Sequence, residues 1–364
     1  MVQTRVEDVA ATAYEVPTDR PESDGTLEWS STTIVVVETS AGGQRGLGYT
    51  YGHHAIAEVV RSTLAPAVTG IDALAPPRAW AAMQREIRNF GRQGLCAMAI
   101  SAVDIALWDL RAKLLGVSLV DSLGRFRETI PAYGSGGFTS YTDAELTGQL
   151  RDWVQRGCRR VKIKVGREPE RDEQRLAAAR EAIGADVELM VDANGAFDRR
   201  DAARWAERYA EHGVSYFEEP VSSDDLAGLR WLRDVVPPGI EVAAGEYAWD
   251  LFELERLAGC VDVLQADVTR GGGITNLLRA DGICRAGSLP FSAHCAPQVS
   301  AHLCCAMEQA VHVEYFHDHE RVESMLFEGA LPLEDGRLRP DPARPGLGIE
   351  LKRAEAERFQ VGDR

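Results

Sequence analysis

Between about residues 128 and 327, eight short apolar runs alternate with amphipathic helical stretches, and this alternation narrows the fold more than any other feature of the chain. The runs are IPAYG (130–134), RVKIKV (160–165), VELMVDA (187–193), VSYFEE (214–219), IEVAAGE (240–246), VDVLQAD (261–267), SLPFSAH (288–294) and VHVEYF (311–316). Each is short for a helix, and most are rich in β-branched residues. Among the stretches between them, RDEQRLAAAREAIG ends in Gly184, and DAARWAERYAEHG has Asp201 near its start and Gly213 just past its end. Eight strand–helix units predict a closed parallel (β/α)₈ barrel, a compact one against the usual length of about 250 residues.

The segment before the barrel obeys different rules. Alternating VEDVAATAYEV, a polar stretch PTDRPESDGTLEW expected to be a loop, the β-branched run Thr32 to Thr39 and the turn AGGQRG predict a small antiparallel sheet. From about Ile56 to Leu115 the pattern becomes helical. CAMAISAVDIALWDLRAKLLG is apolar around most of its circumference, so it is expected to be buried on several sides, with Asp109 facing Lys113 and Gly116 ending it. The last stretch, with LEDGRLRPDPARPGLG, has no further repeat and is expected to pack back on the N-terminal part. The expected division is an α+β capping domain, residues 1–127 completed by 328–364, and a barrel domain, residues 128–327.

Composition limits the partners. The chain has 364 residues, is 45% hydrophobic and 26% charged, and carries a formal charge of −16, which argues against nucleic acid, whose binding rests on basic residues. No apolar run approaches a membrane span and the first residues lack the apolar stretch of a signal peptide, so a cytoplasmic location is expected. Seven cysteines without a CxxC pair suit reduced, buried thiols better than a disulfide frame or zinc site.

Ionisable residues fall at the ends of the strand runs: Lys162 and Lys164, Asp192, Glu218, Glu246, Asp267, His294 and Glu314. In a parallel barrel these ends share one mouth, where barrel active sites are built. Any one carboxylate could be a helix cap, but Asp192, Glu218 and Glu246 from neighbouring strands suit a hard oxygen site for Mg²⁺; a structural ion-pair network is the alternative. The spacing of Lys162 and Lys164 points both into the barrel, where mutual repulsion and a nearby cation are expected to lower a lysine pKa towards that of a general base. His294 can be oriented by Asp267, and Glu314, if burial raises its pKa, can donate a hydrogen bond to a carboxylate oxygen.

In order along the chain, VKIKVG, VDANGAF, FEEP, AAGE, QADVTRGGGIT and SAHCAPQVSAHL resemble the mandelate racemase subgroup of the enolase superfamily, and the resemblance covers nearly the whole sequence. It implies Lys164 as the base on one face of the substrate, with Lys162 binding the carboxylate. It implies Asp192, Glu218 and Glu246 as Mg²⁺ ligands, with Mn²⁺ able to substitute. The His294–Asp267 dyad becomes the acid–base group on the other face, Glu314 the group that stabilises the enediolate, and Asn194 a substrate contact. The implied reaction is abstraction of the proton α to a carboxylate, and sugar-acid dehydration is favoured over racemisation or epimerisation; a non-catalytic metal- or acid-binding barrel is the reading from another class. Segments Pro21 to Trp29 and Tyr49 to His54 are expected to cover the mouth, with His53 a candidate substrate contact. A homo-oligomer, dimer or octamer, is implied by the resemblance alone.

Overall fold

The computed structural model describes residues 4–361. Strands β1 (Asp8–Ser23), β2 (Glu28–Ala41) and β3 (Gln44–Tyr51) form an antiparallel sheet. Its side chains alternate between two apolar environments, as a period of two requires. Val9, Ala11, Val35 and Val37 pack with the cap helices, whereas Tyr14, Val16, Ile34 and Val36 belong to the large core that continues into the barrel. The sheet is therefore a partition glued on both faces.

The stretch expected to be a loop is mostly strand. β1 runs on to Ser23, pairing Glu22 with Trp29 and Ser23 with Glu28 after a register shift beyond Pro17. Two prolines that cannot donate to a ladder give this stretch its loop-like composition, and the shift accommodates them. The turn itself is Asp24 to Leu27, closed by the Asp24 carboxylate accepting the Thr26 and Leu27 N–H groups at 2.6 Å each.

The barrel strands are β4 (Ile130–Gly136), β5 (Arg160–Lys164), β6 (Glu188–Asp192), β7 (Val214–Glu218), β8 (Glu241–Ala244), β9 (Val263–Ala266), β10 (Phe291–Ala293) and β11 (Ala310–Phe316). Each lies parallel to the next, and β11 pairs with β4 to close the ring. All eight expected runs form them. Alternation sorts their residues: Val161, Ile163, Leu189, Val191 and Phe217 join the core shared with the helices, while Tyr133, Met190, Tyr216, Ala243 and Val263 form a separate cluster. Lys162, Lys164, Asp192 and Glu218 have the opposite parity from those helix-facing neighbours.

After the barrel, β12 (Phe327–Glu328) pairs with β14 (Glu350–Leu351), β13 (Arg337–Leu338) adds antiparallel to β4, and β15 (Gln360–Val361) pairs with β1. The tail thus pairs with the N-terminal sheet and also extends the barrel sheet. The buried helix Leu95–Leu115 ends at left-handed Gly116 and carries Asp109, which accepts N–H groups from Leu47 at 2.7 Å and Leu347 at 2.6 Å and pairs with Lys113 at 2.7 Å. Three distant segments meet on one carboxylate. Asp109→Ala is expected to leave two buried N–H groups unpaired and to lower stability by about 2–5 kcal/mol in urea unfolding. No helix of the described residues is long and apolar enough to cross a membrane.

Candidate active site

Asp192 and Glu218 end β6 and β7, and Glu246 follows β8 across Gly245. At Gly245 φ is +140°, and a Cβ there would lie 1.8 Å from the Gln265 carbonyl oxygen, so only glycine lets the chain turn and present Glu246. One oxygen from each of the three carboxylates lies within 4.8 Å of the others. All three residues are buried, and Glu218 Oε1 has no hydrogen-bond partner.

Lys162 Nζ stands 2.6 Å from Glu218 Oε2, 2.8 Å from Glu314 Oε1 and 3.7 Å from Asp192 Oδ2. Lys164 Nζ stands 2.5 Å from Asp192 Oδ2. At the other end of the triad, His294 Nε2 is 2.8 Å from Glu246 Oε2 and its Nδ1 is 2.7 Å from Asp267 Oδ2. Lysine and histidine therefore flank the three carboxylates. Asp267 is held in turn by the Thr269 N–H and hydroxyl at 2.6 and 2.7 Å.

Among the protein groups alone, the lysine and Glu314 shifts run opposite to the expected directions. Burial works against the charge of Lys162 and Lys164, but Glu218 and Glu314 beside the first and Asp192 beside the second raise both pKa values above the ordinary lysine range. Burial likewise pushes Glu314 towards its neutral form, yet Lys162 and His294 overcome it and hold the carboxyl below its usual range. Glu314 is an acceptor here, taking the Ser135 hydroxyl at 2.5 Å. Glu218 goes the other way: burial and Asp192 push it up to about 8 against the pull of Lys162.

The remaining expected residues are placed differently from one another. Asn194 has φ +46°, donates its N–H to Asp192 Oδ1 at 2.9 Å and keeps a buried, unpartnered Oδ1. His53 is exposed, and its Nδ1 accepts the Ala55 N–H at 3.2 Å, one residue before the N-cap His54 of a short helix, a local contact and not one with the triad.

Family models for the two parts of the chain match it: the mandelate racemase/muconate lactonizing enzyme N-terminal domain over residues 8–124 and the enolase C-terminal domain-like family over residues 145–356. The chain belongs to the enolase superfamily, in its mandelate racemase/muconate lactonizing enzyme family. It is similar to a 3,6-anhydro-alpha-L-galactonate cycloisomerase of Streptomyces coelicolor, 30% identical over 98% of this chain and 100% of that protein. Among solved structures, a mandelate racemase/muconate lactonizing enzyme-like protein from Rubrobacter xylanophilus is 62% identical with TM-score 0.97, covering 98% of this chain and 100% of that one. The L-talarate/galactarate dehydratase of Salmonella typhimurium LT2, liganded with Mg and L-lyxarohydroxamate, is 28% identical with TM-score 0.90, over 98% and 93%.

Three site residues of this enolase superfamily member escaped the sequence reading. Strict alternation would put Glu219 on the opposite face from Glu218, but φ of +38° interrupts the strand there. Its carboxyl is buried, with its pKa raised by burial and by Glu246 and Asp192. Arg270 reaches Glu246 at 3.4 Å and Asp267 at 3.5 Å. Cys295, set aside as a core thiol, has φ +48° and brings Sγ to 3.3 Å from His294 Nε2 and 3.5 Å from Glu314 Oε2. The EE doublet and the cysteine adjoining His294 were the available signals, but neither reveals a left-handed turn.

The cap closes over this site. Thr139 donates its N–H to Ser23 O at 2.8 Å, Arg167 binds Leu27 O at 3.0 Å, and Thr50 binds Thr269 O at 2.6 Å. At the hairpin tip, a Cβ on Gly25 would lie 2.3 Å from Ala193 O and 2.7 Å from Val165 O, beyond the ends of β6 and β5. Gly25→Ala is expected to lift the tip while the barrel stays folded. Faster amide exchange confined to the hairpin would show this; unchanged protection would mean that the tip does not seal the mouth.

Proposed function

We propose that this protein removes the proton α to the carboxylate of a sugar acid with Mg²⁺ bound, and that β-elimination of water follows, making it an acid-sugar dehydratase. The observation that carries the reading is the pairing of Lys164 and His294 at opposite ends of a buried carboxylate triad. A non-catalytic binder gains nothing from basic groups on both flanks.

The donor set fits the cation. Six buried carboxylates (Asp192, Glu218, Glu219, Glu246, Asp267 and Glu314) outnumber the four cationic groups Lys162, Lys164, Arg270 and His294, and burial with this crowding of like charge pushes Glu218 and Glu219 towards their protonated forms, a pressure that a bound cation relieves. Asp192, Glu218 and Glu246 would hold Mg²⁺, as hard oxygen donors do. When bound, the cation stabilises negative charge developing on the substrate carboxylate. Its pairing with the carboxylates also weakens the pull that keeps Lys164 protonated in their presence.

Lys162, already among acidic oxygens, binds the substrate carboxylate. Lys164 takes the α-proton on one face. His294, held by Asp267, delivers a proton to the departing β-hydroxyl on the other, and the closed cap keeps bulk water away. The similarity to a sugar-acid dehydratase and a sugar-acid cycloisomerase supports this substrate class.

A second reading is racemisation or epimerisation, favoured by the same two flanking bases, since proton removal on one face and return on the other needs nothing more. A library of mono- and diacid sugars with Mg²⁺ separates the two. A 2-keto acid, trapped with semicarbazide, is expected; α-proton exchange in D₂O without keto acid would replace dehydration by epimerisation, and neither signal from any sugar acid would discard the substrate class.

A further inference from the structure

We propose that His294, Cys295 and Glu314 form a second, softer metal site, which takes Zn²⁺ and stops turnover by capturing the His294 imidazole. His294 Nε2, Cys295 Sγ and Glu314 Oε2 make a triangle with edges of 3.3, 3.5 and 3.6 Å. Tetrahedral zinc, about 2.3 Å from sulfur and about 2.0–2.2 Å from nitrogen and oxygen, separates such donors by about 3.4–3.6 Å. The triangle thus already has the dimensions of one face of a zinc tetrahedron. All three residues are buried, and among the described residues no other cysteine belongs to a cluster of metal-ligating groups.

The set is chosen by chemistry as well as size. Sulfur and imidazole donors suit Zn²⁺, Co²⁺ or Cd²⁺ and are poor partners for Mg²⁺, which keeps to oxygen. Zinc binding would break the Cys295 S–H bond, release that proton to solvent and form a Zn–S bond. Thiolate and carboxylate then balance the two charges of the ion, so a neutral assembly sits in the buried mouth. Glu314 can contribute Oε2 because Lys162 and Ser135 both engage Oε1. The other ring nitrogen of His294 faces Asp267, the kind of carboxylate partner that orients a metal-binding imidazole.

Two neighbouring sites, one hard and one soft, would make the protein respond in opposite senses to Mg²⁺ and Zn²⁺. The inhibition, unlike the binding, rests on the reading of His294 as an acid–base group in turnover. An imidazole bonded to zinc through Nε2 can neither give nor take a proton there, and zinc occupies space the substrate needs.

The test is titration of the whole protein with Co²⁺ in excess Mg²⁺, following the near-ultraviolet thiolate-to-cobalt charge-transfer band. One equivalent of band intensity is expected, chased by Zn²⁺ and absent from Cys295→Ser and Cys295→Ala, which retain the other six thiols. Zn²⁺ should inhibit α-proton exchange competitively with the acid. Losing a ligand should weaken zinc by at least the roughly tenfold that loss of an outer-shell partner costs, so Cys295→Ser should raise the half-inhibiting concentration by that factor or more. No band in the wild type, or a band surviving in both variants, overturns the site. Cobalt bound through Cys295 in a protein that turns over no acid would keep the site and refute the catalytic reading instead.

Discussion

Lys164→Ala is expected to abolish proton exchange on one face of the substrate only. General acid–base groups contribute about 10²–10⁴-fold to a rate, so turnover started from that face should fall by this factor. His294 would still meet the other face, held by Asp267 at 2.7 Å. An acid of the opposite α-configuration should therefore keep exchanging in D₂O with Lys164→Ala and stop with His294→Ala. Lys162 remains 3.7 Å from Asp192 after the lysine is removed, so the variant should fold. Equal exchange of both configurations in Lys164→Ala would remove this lysine from the chemistry; loss of the circular dichroism signal would return it to a structural role.

Chelation should have a comparably large effect. A Lewis acid at a developing carboxylate charge supplies several kcal/mol, and each 1.36 kcal/mol is a factor of ten, so EDTA is expected to cut turnover by at least about 10²-fold and Mg²⁺ to restore it. The same ion should protect the fold: at a concentration 100 times its Kd, binding adds about 2.7 kcal/mol of stability and raises the unfolding temperature. Asp192→Asn and Glu218→Gln should lose this magnesium-dependent rise. Turnover and unfolding temperature both indifferent to EDTA would dismiss the metal from the site.

The barrel was legible because its two determinants are local. Val161, Ile163 and Phe217 mark the helix-facing side of their strands by parity alone, and parity also assigns Lys162, Lys164 and Glu218 to the other side. The carboxylates were found because parallel strands must end together. Misplaced features depend on backbone turns or distant partners. Nothing around Glu219 or Cys295 announces a left-handed φ, and the prolines at 17 and 21 made strand look like loop. Protonation was the least accessible, because the state of Glu314 is decided by Lys162, a residue far away in sequence and 2.8 Å away in space. The pairing of β13 with β4 joins two segments that carry no pattern in common.

The last described strand also bears on how the protein comes to be made. β15 pairs Val361 with Ala13 and Gln360 with Tyr14, so this N-terminal sheet gains its outer strand only after every strand of the barrel has been synthesised. Until then β1 has an open edge, and the face carrying Tyr14, Val16, Ile34 and Val36 lacks the barrel that will cover it. Asp109 likewise waits for Leu347. The nascent N-terminal half should therefore need shielding from other chains, and stalled or truncated products should aggregate, whereas the finished chain closes sheet, barrel and active site together.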